Sequence, residues 1–141
     1  MKAGLWIEPE IIGVQCEEML SYYDENCFLH RGGKRIAVMG RHFLDFKAEK
    51  VINYLSEMIR RMVEDYGAQY IKMDYNEDVG VTDESLTADR AAYLEWVDGM
   101  RSRFPNVLIE TRSSGGMRMD YETLRHFSLV STSDQTDYRL Y

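Results

Sequence analysis

The chain is poor in cysteine and proline, with two of each in 141 residues. Cys16 and Cys27 cannot build a disulfide framework or a four-thiolate zinc site, and both read as small hydrophobes. Positive charge is also scarce: 17 Lys and Arg stand against 24 Asp and Glu, a net charge of −7. A general nucleic-acid binder needs a basic surface to neutralise phosphates, so that class is excluded. No apolar run approaches the roughly 20 residues of a membrane helix. The N-terminus, MKAGLWIEPE, has no apolar signal-peptide core, and a reducing, cytoplasmic setting is the expectation. His30, His42 and His126 have no HxxH or HExxH spacing, so neither metal nor cofactor is expected.

What remains is a strongly patterned chain, 45% hydrophobic and 12% aromatic. Ala3 to Ile7 is a short apolar run stopped by Glu8-Pro9, a buried strand. Ile11 to Tyr23 fits no single period. Asp24 to Lys34 is polar with a Gly32-Gly33 turn, and Arg35 to Met39 reads as a short strand. From Ala48 to Tyr66, Val51, Ile52, Leu55, Met58, Ile59, Met62, Val63 and Tyr66 recur at helical spacing, and Gly67 closes the helix. Tyr70 to Met73 is a strand, Asp74 to Thr87 a loop, Ala88 to Phe104 a helix closed by Pro105, and Val107 to Ile109 a strand. A Gly-rich stretch, Thr111 to Met119, leads to a short helix at Tyr121 to Phe127 and a last strand at Leu129 to Ser131.

Strand–helix alternation predicts an α/β fold with parallel strands and right-handed crossovers. Ligands of such folds bind at the C-terminal ends of strands. That singles out Glu8-Pro9-Glu10, Asp74-Tyr75-Asn76, Arg112 to Arg118 and Ser133 to Asp137. Four parallel strands leave two open edges, so part of a larger barrel is expected, prone to oligomerise if made alone.

Strand alternation puts Lys72 and Asp74 on one side, where the cation keeps the carboxylate ionised, as suits a nucleophile; a structural ion pair or a helix cap reads equally well. Asp134 and Asp137 offer a second carboxylate that can face Asp74, and two opposed carboxylates are the minimum for glycoside hydrolysis. A turn or an N-cap explains them too. Ser113-Ser114-Gly115-Gly116 either lets a ligand approach the backbone or simply joins strand to helix. Trp6 stacks on a sugar or sits in the core.

The order of GLWIEPE, GRHFLDF, YIKMDYN, IETRSSGGMRMD and STSDQTD closely resembles the catalytic barrel of the family 36 α-galactosidases, from Gly4 to Asp137. The resemblance implies a TIM-type (β/α)₈ barrel, with this chain its third to sixth strands and their helices. It implies a retaining hydrolase acting on α-galactoside oligosaccharides, with Asp74 as nucleophile and Asp134 as acid/base. Trp6, Arg41, Lys72 and Asn76 match sugar-contacting positions; Ser113 and Ser114 lie in a pocket-lining loop; Arg118 and Asp137 hold their own loops. Arg112 stands where the family has Cys. A bulky permanent charge there crowds the sugar, binds an altered substituent or turns away. A non-catalytic or truncated carbohydrate-binding relative and a raffinose-synthase-like glycosyl transferase are the alternatives, and the parent protein is a candidate homo-oligomer.

Overall fold

The computed structural model describes residues 3–133, 135 and 137–140. In chain order the elements are β1 (Ala3–Ile7), β2 (Ile11–Gly13), α1 (Glu17–Tyr22), β3 (His30–Arg31), β4 (Lys34–Arg35), β5 (Ala37–Val38) and β6 (Arg41–Phe43). They continue with α2 (Glu49–Arg60), β7 (Ala68–Met73), α3 (Leu86–Arg103), β8 (Leu108–Thr111), α4 (Tyr121–His126) and β9 (Leu129–Val130). The principal sheet has the order β1-β7-β8-β9, and each neighbouring pair is parallel. Helices α2, α3 and α4 make the crossovers, as the alternation predicts. Among the described residues β1 and β9 each pair on one side only.

The core lies between the sheet and its helices. Ile71, Met73 and Ile109 pack against Val51, Leu55 and Ile59 of α2 and Tyr93, Leu94, Val97 and Met100 of α3. Alternate strand residues therefore turn to the other face, and cross-strand register sets Trp6, Lys72 and Glu110 in one row there. Among the described residues no helix is long and apolar enough to cross a membrane.

The helix expected over 48–66 begins one residue late and ends as a wider π turn, Arg61–Asp65, before Gly67 at φ +71°. Arg60 bonds Glu57, Glu64 and Asp65 across that turn. Helix α3 starts two residues earlier than its apolar period, because Ser85 Oγ accepts from Ala88 N at 3.3 Å. Replacing Ser85 by Ala orphans that N–H, and a loss of about 1 kcal/mol is expected in a urea titration.

Residues 8–46 form an excursion that periodicity does not resolve. β2, β6 and β5 make an antiparallel sheet, and β3 with β4 makes a hairpin. The single strand expected over Arg35 to Met39 is instead broken at Ile36, whose N–H donates to Leu29 O and whose side chain is buried. Cys27 is buried, but Cys16 is exposed and so is not a core residue.

The hairpin grips the loop that follows β7. His30 N and Nδ1 both lie 2.8 Å from the Glu84 carboxylate, and Gly32 and Gly33 N–H donate to Asp83. Those two amides hold Asp83 below the usual carboxylate range, and the Glu84 hydrogen bond raises His30. Arg31 caps Val79 O and Val81 O.

Behind the sheet, Asp89 of α3 accepts from Phe46 N at 2.6 Å. Burial pushes its carboxyl from 3.8 up to about 7; the Glu10 and Asp45 charges add to this, and the Phe46 N–H opposes it. The folded chain thus holds this proton more tightly than the unfolded chain does. Its contribution to stability is whole below about pH 4 and is lost as pH rises through about 7. Asp89→Asn keeps an acceptor for Phe46 and never ionises. The variant is expected to melt higher than wild type at pH 8, by about 3 °C or more, with the gap closing toward pH 4. Parallel melting curves across that range would contradict the assignment.

Candidate active site

Asp74 is the first residue beyond β7. Its N–H donates to Ile7 O at 2.9 Å, which continues the parallel pairing and fixes the backbone at the strand's C-terminal end. The carboxylate is buried, and both its oxygens are held. Tyr75 N donates to Oδ1 at 2.9 Å and Trp6 Nε1 donates to Oδ2 at 3.2 Å. Trp6 is 54% exposed, so it is not a core residue.

Lys72 lies on the same face, as alternation predicts, but its ion pair is with another acid. Its Nζ is 3.5 Å from Glu110 Oε1, because the β7–β8 register sets Lys72 directly opposite Glu110. Ser131 Oγ donates to the same oxygen.

Asn76 is oriented from both ends. Its Nδ2 donates to Glu8 Oε1 at 2.7 Å, and Ser114 Oγ donates to its Oδ1 at 3.2 Å. These two bonds join the ends of β1, β7 and β8. Ser113 Oγ donates to Tyr75 O at 3.0 Å. Ser114, Gly115 and Gly116 all have positive φ, a left-handed turn that the two glycines make inexpensive and that brings Ser114 back over Asn76. Arg41, at the start of β6, reaches Glu77 Oε1 at 3.2 Å, which ties the excursion to the loop after β7.

Arg112 is buried, and its N–H donates to Met73 O at 2.8 Å. Asp134 lies outside the described residues. Asp137 bonds Arg139, two residues on, in keeping with a loop-holding role. Arg118 does more than hold its own loop. It forms a bidentate pair with Glu10, and its guanidinium carbon sits 3.7 Å from the Tyr75 ring centre.

The structure therefore gathers Trp6, Lys72, Asp74, Asn76, Ser113 and Ser114 at the C-terminal ends of three neighbouring strands, with Arg41 brought in through Glu77. Sequence reasoning missed the acids that orient these groups. Glu8 was visible as part of a strand-end acid pair, and Glu77 directly follows Asn76. The signal for Glu110 was a lone acid directly after the apolar run Val107 to Ile109. Among the described residues no group of three or more His, Cys, Asp or Glu is placed to hold a metal.

A family profile described as Melibiase matches residues 1–139. The chain is similar to alpha-galactosidase AgaA of Geobacillus stearothermophilus, 29% identical over 147 residues, covering 97% of this chain and 20% of that protein. It is similar to probable alpha-galactosidase C of Aspergillus flavus, 30% identical over 141 residues, covering 97% of this chain and 18% of the relative. Among solved structures, one of the Geobacillus AgaA, a GH36 alpha-galactosidase in complex with stachyose, superposes with a TM-score of 0.79 at 26% identity, over 97% of this chain and 20% of that one. The chain spans about a fifth of the length of these relatives. The likeness identifies the four-stranded parallel sheet and its helices as part of a (β/α)₈ barrel.

Proposed function

Because the chain belongs to the Melibiase family, we propose that the protein containing it is a retaining glycoside hydrolase that removes terminal α-linked galactose from oligosaccharides. On this reading the chain supplies about the third to sixth strands, with their helices, of one catalytic barrel domain. The observation that carries the proposal is Asp74, a carboxylate at a strand's C-terminal end with a donor on each oxygen. Such a carboxylate is held rigid and oriented by its donors, as a nucleophile requires. Structures of the Geobacillus relative with stachyose and with raffinose support the substrate class.

In the first step Asp74 attacks the anomeric carbon and forms a glycosyl-enzyme ester, while Asp134 protonates the departing oxygen. In the second, Asp134 takes a proton from water, which hydrolyses the ester. Asp134 takes this role from the STSDQTD motif. Lys72, Arg41 and Asn76 supply donors to sugar hydroxyls, each already oriented by an acid.

Two measurements test this together: turnover of a panel of aryl α-glycosides by the protein that carries this chain, and the anomeric configuration of the first-formed sugar by proton NMR. Turnover of the α-galactoside with α-galactose released first is expected. Release of β-galactose would remove the double displacement, and a folded protein inert to the whole panel would remove the hydrolase.

A further inference from the structure

Two carboxylates and one ammonium share the barrel-facing side of β7 and β8. Lys72 in β7 and Asp74, whose N–H continues the pairing one residue past β7, are two residues apart and so share a face, and Glu110 is the direct cross-strand neighbour of Lys72. A lysine carries its charge on a flexible four-carbon stem and pairs with whichever anion is in reach. Here Nζ turns to Glu110 Oε1 at 3.5 Å, and the indole N–H of Trp6 occupies Oδ2 of Asp74. Glu110 is 3% exposed and is itself held by the Ser131 hydroxyl at the end of β9. A buried acid with one cationic partner is a poor stabiliser, since an apolar pair of the same volume usually does as well. Stability alone therefore gives little reason for the pair.

From this placement, and resting on the glycosidase reading above, we infer that Glu110 is a positioning residue that holds Lys72 off the nucleophile. With Glu110 charged, the ammonium stays in its own row and keeps its other N–H donors for the sugar. Without that charge, the carboxylate that shares this face two residues along the chain is Asp74. An ion pair there would stabilise the free nucleophile and would have to break before attack, so it raises the barrier. It would also withdraw the ammonium from the sugar. Glu110 touches neither sugar nor reacting atoms; it acts through Lys72.

The test is steady-state kinetics on an aryl α-galactoside, using the whole protein that carries this chain, for wild type, Glu110→Gln, Lys72→Met and the double variant. Gln keeps an acceptor for Ser131, loses the charge and turns one acceptor oxygen into an NH₂ donor. Glu110→Gln is expected to lower kcat about tenfold or more, the scale of one charge-assisted hydrogen bond. KM should rise as well. In the double variant the freed ammonium is gone, so kcat should recover above that of Glu110→Gln while KM stays high. A purely structural role for Glu110 predicts no such recovery. A kcat in Glu110→Gln within twofold of wild type, or a double variant no faster than Glu110→Gln, overturns the inference. Should Glu110→Gln fail to fold, Ser131→Ala releases Glu110 with little loss of packing. A fall in kcat of about threefold is expected there, and an unchanged kcat overturns the inference. Wild type without turnover of any α-galactoside overturns the glycosidase reading and this inference with it. Active wild type beside an unaffected Glu110→Gln overturns the inference alone.

Discussion

Replacing Asp74 by Asn is expected to lower turnover of an aryl α-galactoside by roughly 10⁴- to 10⁶-fold, the range seen when a member of a catalytic unit is removed. The amide is a poor nucleophile at carbon, so the first covalent step fails. The local cost to folding is small but has a definite origin. Asp74 accepts at both oxygens, from Tyr75 N and Trp6 Nε1. An Asn side chain has one acceptor. If it keeps the Tyr75 bond, its NH₂ faces the Trp6 indole N–H, donor against donor. A loss of about 1 kcal/mol is expected from that mismatch, since Trp6 is half exposed and water can take its N–H. The checks are single-turnover kinetics beside a thermal melt, and trapping with an activated fluorogalactoside. Wild type should gain the mass of the sugar on the peptide holding Asp74, and Asp74→Asn should gain none. Label on a different carboxylate would dismiss Asp74 as nucleophile.

The second large effect concerns stability. Glu10 and Arg118 are separated by 108 residues, with side chains 9% and 14% exposed. Two N–H···O bonds join them, one of 2.7 Å, and the guanidinium carbon sits 3.7 Å from the Tyr75 ring centre. Arg118→Met leaves the Glu10 carboxylate buried without that cation, and a loss of about 3–5 kcal/mol is expected. Glu10→Met alone should cost a similar amount for the opposite charge. The double variant, which buries two apolar side chains instead, should recover much of either loss. Urea midpoints of the four proteins measure this. A single variant within about 1 kcal/mol of wild type would mean that the pair behaves like a surface ion pair. The effect should also reach activity, because Tyr75 supplies the amide that holds Asp74 Oδ1.

The parallel sheet could be read in advance because each strand is a short apolar run and each crossover a helix with its own period. That is why Ala3–Ile7 was matched in full, why the strand at Tyr70 to Met73 fell within Ala68–Met73, and why the three crossover helices, counting the π turn Arg61–Asp65 with α2, were placed to within two residues. Helix ends moved where a cap and not a hydrophobic residue sets the boundary, as Ser85 does for α3. The excursion over residues 8–46 was opaque for a different reason. Its strands are two or three residues long, too short for alternation to register, and they are specified by partners outside the strand, such as Leu29 for Ile36 and the distant Asp83 for Gly33.

The site divides along the same line. Residue type and position at strand ends marked Asp74, Asn76 and the Ser113-Ser114 loop, since chemistry in a parallel α/β fold collects there whatever the rest of the chain does. Which partner each group takes was open until the strands were side by side. Lys72 and Asp74 are near neighbours in the chain, yet register gives Lys72 to Glu110 and Asp74 to Trp6. Local alternation says only which face a side chain occupies. The anion or donor it meets there comes from another strand, tens of residues away, and is chosen by the alignment of one strand against the next.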